Sequence, residues 1–167
     1  MSEDGAREPT VLPTGAMGVL VRGAMGIGSA AMLGAMATEA LAVVGRHTGV
    51  PFVGSIELVQ ACVVVATSSA IVAATVLGAH ARVHLLTERL GPTARGVLYR
   101  LADLLSAALF AVLAGGSIWI ATELWTGDER TSLLHLPIAA LRVFWCAAAA
   151  LTGGLFLIAA FARKDRP

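Results

Sequence analysis

Apolar positions in this chain gather into four stretches, at about residues 23–44, 54–79, 101–122 and 137–161, separated by shorter polar segments. A bilayer hydrocarbon core about 30 Å thick is crossed by roughly 20 helical residues rising 1.5 Å each, and every stretch meets that length. The pattern predicts an all-α integral membrane protein with four transmembrane helices. The segment between the second and third stretches has a different rhythm. In HARVHLLTERL, Val83, Leu86 and Leu90 recur at three- and four-residue spacing while Arg82, Glu88 and Arg89 stay polar. That spacing predicts an interfacial amphipathic helix over about 81–90, lying in the headgroup plane. Gly91 and Pro92 end it, and the chain restarts helically at Thr93. The expected organisation is a mobile tail over 1–14, one four-helix membrane domain over 15–162, and a short tail over 163–167.

Composition strengthens this picture. Of 167 residues, 57% are hydrophobic and 14% charged, against about 25% charged in an average soluble domain. The formal net charge of +1 supplies no basic field for nucleic acid. Cys62 and Cys146 both fall inside apolar stretches and read as small hydrophobes rather than a disulfide or metal pair. The opening residues carry acids and two prolines before any apolar run, unlike the basic start of a cleavable signal peptide.

Charge orients the spans. Four crossings put both tails and the middle segment on one side, with Arg7, Arg22, Arg82, Arg89, Arg95, Arg100, Arg163, Lys164 and Arg166. The other side holds only Arg46, Arg130 and Arg142. Cytoplasmic loops collect Lys and Arg, so both termini are expected in the cytoplasm of a bacterial cell, with the chain in its inner membrane. The outside connections are then 45–53 and 123–136, with Phe52 and Trp125 at the outer interface and Tyr99 at the inner one.

Charged residues near or within the spans are costly and therefore informative. Glu39, Glu57, Glu123 and Arg142 all fall toward the outer leaflet by residue count. The single Arg142 among three acids predicts a depth-matched ion pair with Glu57 or Glu123, locking helices together. A proton or ion relay is the alternative, and the structural role is favoured because the cluster does not continue to mid-depth. On the inner side, Arg22 and Asp103 are placed to pair across helices, although Arg22 can also snorkel to phosphates alone. His80 and His84, four apart, share a helix face that suits a metal or haem, but no second pair stands at the same depth. They read as interfacial polar residues, and no cofactor or metal site is assigned to this chain.

Small residues spaced by four mark three spans: Ala24 and Gly28, Ala30 and Gly34, Ala111 and Gly115, Ala149 and Gly153, Ala150 and Gly154. Such faces let backbones approach closely in lipid, either within the chain or against a partner. Thr67, Ser68 and Ser69 sit mid-depth, where hydroxyls can bond back to the preceding turn. No proline breaks a span and no acids repeat at the midplane, which argues against a transport route through this chain alone. No nucleophile–base pair or phosphate-cradling loop supports an enzyme.

Residues 40–160 resemble the small membrane subunit of tripartite ATP-independent periplasmic transporters, the DctQ-like family. Arg46 precedes a short loop, Gly54-Ser55-Ile56-Glu57-Leu58 opens the second span, and Gly78-Ala79-His80-Ala81-Arg82-Val83 closes it as in that family. Thr131-Ser132-Leu133-Leu134-His135-Leu136-Pro137 is similar to the family's lead into the last helix. The glycine-rich first span and His84 depart from it. The resemblance implies an accessory subunit beside a large permease, which holds the substrate and sodium sites, and a soluble extracytoplasmic binding protein that delivers an organic acid. Glu57, His80 and Arg142 are then structural polar residues, while Arg46, Asp128, Glu129 and Arg130 are candidate contacts for the binding protein. Membrane lipids complete its surroundings. Competing readings are the small subunit of a tripartite tricarboxylate transporter, a haem-carrying anchor of a redox enzyme, and a self-sufficient exporter.

Overall fold

The computed structural model describes residues 15–79, 91–123 and 129–162. They form four helices: α1 (Ala16–Thr48), α2 (Ser55–Leu77), α3 (Pro92–Glu123) and α4 (Ile138–Ala162). All four are long and apolar enough to cross a membrane. The expected interfacial helix, with His80 and His84, lies outside the described residues, as do Trp125, Asp128 and both tails.

Helix ends follow local chemistry. α1 stops at Gly49, whose left-handed conformation turns the chain out while its N–H still reaches the Gly45 carbonyl. α2 ends the same way at Gly78, with Ala79 N–H donating to the Ala74 carbonyl at 2.9 Å. Pro92 sits at the first position of α3, where its missing N–H costs nothing. α2 and α4, of 23 and 25 residues, match the bilayer closely. α1 and α3 overshoot it, at 33 and 32 residues or roughly 50 Å each. The overshoot brings Arg22 and Arg46, expected at the two ends of the first span, inside α1, while Arg95 and Arg100 lie inside α3 as the helical restart at Thr93 implies.

Packing runs in the order α1, α2, α4, α3. α1 packs on α2, α2 on α4, and α4 on α3, with no comparable contact between the described parts of α1 and α3. The helices therefore form a bent row rather than a closed bundle. Burial agrees with this order: about 28% of the apolar window is buried in the central α2 and α4, against 17% in α1 and 11% in α3.

The seams are lined by small side chains, including Ala42, Ala66, Ala73, Ala107, Ala114 and Ala149. A β-carbon on Gly28 would meet Ser69 Cβ at 3.3 Å, and one on Gly34 would meet Cys62 Sγ at 3.4 Å. A β-carbon on Gly153 would meet Phe110 Cβ at 3.4 Å, where α4 crosses α3. Phe110 and Phe156 stack beside that crossing, their ring centroids 6.0 Å apart. These small faces serve packing within the chain. Gly115 and Gly154 have nothing within 4 Å, so their faces stay open.

The hydroxyls within α1 and α2 divide. Thr38 and Thr75 donate back to the carbonyls of Gly34 and Ile71, both at 2.8 Å. Ser68 and Ser69 are buried, and Ser68 Oγ finds no hydrogen-bond partner among the described residues, contrary to the expectation that it bonds to its own helix. Thr67 is exposed.

Candidate functional site

Glu57, Glu129, Arg130 and Arg142 come together at the end of the row that carries the α1–α2 and α3–α4 connections. Gly54 precedes α2 in a left-handed conformation and offers no side-chain cap, so the first peptide N–H groups of α2 lack a side-chain acceptor. Glu57, three residues on, turns its carboxylate the other way, toward the α3–α4 connection. Its Oε1 accepts from the N–H of Leu133 at 2.9 Å and its Oε2 from the N–H of Leu134 at 2.8 Å. One side chain thus holds two successive peptide groups more than 70 residues away, with the strength of ionised acceptors.

The clasped segment is tightly folded. Thr131 N–H donates to the Leu136 carbonyl at 3.1 Å, and Leu136 N–H returns a bond to Thr131 Oγ1 at 2.9 Å. Arg130 and Pro137 form an isolated antiparallel bridge, and Ile138 N–H donates to the Glu129 carbonyl at 3.2 Å. His135 takes a left-handed backbone, φ 53°, to complete the turn. The isobutyl group of Leu134 packs over Gly54. The connection is therefore fastened to α2 by both polar and apolar contacts.

Arg142 does not meet Glu57 or Glu123. Its Nη2 lies 3.3 Å from Glu129 Oε2, and the pair is partly buried. The bridge between Arg130 and Pro137 folds Glu129 back over the first turn of α4, within reach of Arg142, while Glu57 is committed to peptide groups. Glu123 is exposed and accepts from Trp119 Nε1 at 3.2 Å, one turn away on its own helix. Nor does Arg22 meet Asp103. Their helices stand at opposite edges of the row; Arg22 is exposed, and Asp103 is buried on α3. Arg46 donates through Nε to the Ala42 carbonyl at 3.3 Å and is exposed in the last turn of α1. Arg130 is exposed on the same end of the protein, whereas Asp128 and His80 lie outside the described residues.

Two features of this site escaped the sequence reading. Trp145 Nε1 donates to Ser117 Oγ at 3.1 Å and ties α4 to α3 one turn below Arg142. Leu133 and Leu134, read only as part of a lead-in, supply the peptide groups that Glu57 holds. The site has no group of three or more potential metal-ligating side chains among the described residues. Its chemistry is that of a fixed surface, with exposed Arg130 and Leu133 presented on a braced loop and exposed Arg46 at the end of α1.

A family model described as "Tripartite ATP-independent periplasmic transporters, DctQ component" matches residues 32–166. The chain belongs to the DctQ family. The match takes in all of α2, α3 and α4, the clasped connection, and α1 from Met32 onward. Searches of curated proteins and of solved structures returned no match. Membership makes the chain a small permease component of a TRAP transporter, and with four spanning-length helices it is a multi-pass membrane protein. For a DctQ component, a braced surface loop and an open row of helices are features of a part that joins to others.

Proposed function

We propose that this DctQ component is the accessory, scaffolding subunit of a sodium-coupled importer of organic acids. A large permease subunit carries the substrate and sodium sites, and an extracytoplasmic binding protein delivers the acid. Family membership supports the placement in such a transporter, and the observation that carries the scaffold role is the open row. Its four helices leave both broad faces to the surroundings. The braced end, with Arg46, Glu129 and Arg130, is the face offered to the binding protein, and it is extracytoplasmic in the orientation that the Lys and Arg distribution favours.

The test is co-expression of the chain with the large subunit, purification in mild detergent, and reconstitution into liposomes with a sodium gradient and the binding protein. The two subunits are expected to co-purify, and uptake is expected from the pair but not from this chain alone. Uptake by this chain alone, or failure to associate in any mild detergent, overturns the reading. Topology is checked separately with Ser132→Cys, which is expected to react with a membrane-impermeant maleimide added outside intact cells.

A further inference from the structure

One broad face of the row is recessed along α2. Gln60, Val63, Thr67 and Ala70 are exposed there at alternating three- and four-residue spacing, so they share one side of the helix. A groove of about 510 Å³ separates them from α4, and another of about 810 Å³ separates them from α1. Thr67 lines both grooves, so they adjoin there and together form one recessed channel along the exposed stripe of α2. It extends from Glu57 to Ala79, roughly 30 Å along a helix, which is the thickness of the hydrocarbon core. Ala66, Ala70 and Ala74 line it with small side chains, which let an incoming helix approach the α2 backbone closely.

The polar groups on this face are poorly suited to lipid. Gln60 is exposed and makes no hydrogen bond to a described residue. Glu39 of α1 is likewise exposed and without an ion-pair partner among the described residues. It lies seven residues beyond Met32 and fourteen beyond Met25, both of which line the channel, so two helical turns per step keep it on the same side. Acyl chains offer nothing to a carboxylate or an amide. Arg142, at the channel's edge, is already bonded to Glu129. Among the described residues nothing answers the negative charge or the amide on this face, which runs along a channel one membrane helix long.

We propose that this channel receives one transmembrane helix of the large permease subunit, which sets a basic side chain against Glu39 and a hydrogen-bonding group against Gln60. The inference rests on the accessory-subunit reading and adds the face. A second copy of this chain is the poorer occupant, because a twofold contact in the membrane would bring Glu39 to the same depth as its own counterpart.

The test is photo-crosslinking in membranes containing the co-expressed large subunit, with benzoylphenylalanine placed at Gln60 or Ala70. Controls carry it at Val112 or Trp119, which are 73% and 72% exposed on α3. Adducts with the large subunit are expected from the channel positions and not from α3. Gln60→Leu is expected to lower recovery of the large subunit roughly threefold, the size of one interhelical hydrogen bond in a bilayer, without lowering the thermal midpoint of the isolated chain. Glu39→Lys is expected to lower it further than Glu39→Gln, since like charges then meet. Adducts from α3 alone, or channel adducts only between copies of this chain or with lipid, overturn the proposed face while the intact complex upholds the accessory role. A wild-type chain that fails to co-purify removes the accessory role itself, and the face with it.

Discussion

Leu134 occupies the space above Gly54, its Cγ lying 2.8 Å from where a β-carbon on that glycine would stand. Gly54 also holds φ 95°, a conformation that other residues adopt only with strain. Gly54→Ala therefore meets two obstacles at once and is expected to push the Leu134 loop off α2. The thermal midpoint of the purified chain should fall, and Leu134→Ala in the same background should restore part of it by clearing the contact. An unchanged midpoint in Gly54→Ala would show that the clasp is not as tight as its geometry.

Glu57→Gln keeps the shape of the clasp but removes its charge and turns one acceptor oxygen into a donor that faces a peptide N–H. Hydrogen exchange at the Leu133 and Leu134 amides is expected to speed several-fold, with little change in the middle of α4. Exchange measured by mass spectrometry on peptides covering the connection checks it, and uniform loosening of all four helices would count against a local role.

Gly45 is constrained by close approach. The Val50 carbonyl oxygen lies 2.5 Å from a β-carbon built on it, because the chain folds back over the last turn of α1. Gly45→Ala forces that backbone away, at a cost of about 1–3 kcal/mol, the range for overpacking. Gly26→Ala, with nothing within 4 Å, is the matched control and should be close to neutral.

Trp145→Phe retains the ring and deletes the donor to Ser117. The expected loss is about 0.6 kcal/mol, typical of an interhelical bond in a bilayer. In a double-mutant cycle, Trp145→Phe made in the Ser117→Ala background should cost little more than Ser117→Ala alone. Additive losses would mean that the two side chains do not act on each other.

Much of the architecture was legible in the sequence because apolar length is a local property. Four stretches became four helices, and their ends differ chiefly in α1, which begins at Ala16 and runs to Thr48; the helical restart expected at Thr93 lies one residue from the start of α3 at Pro92. The order of the helices was not legible. It is set by which small faces meet, and Gly28, Gly34 and Gly153 meet neighbours while Gly115 and Gly154 do not, although their spacing is the same. The pairing of Arg142 was misread for a related reason: Glu129 reaches it only through the fold of its own loop, which residue depth cannot reveal. Glu57 was expected to pair with Arg142, but its partners are the peptide groups of Leu133 and Leu134, and peptide groups carry no sequence signal. The amphipathic segment over 81–90 lies outside the described residues.

A bent row one helix thick is broad in the plane of the membrane. With neighbouring helix axes about 8–10 Å apart, three intervals place its outer helices up to roughly 30 Å from each other. Such a body behaves as a fin: a force at one edge acts through a long lever, and turning it requires sweeping aside many lipids. A compact bundle of the same four helices would spin or tilt far more freely.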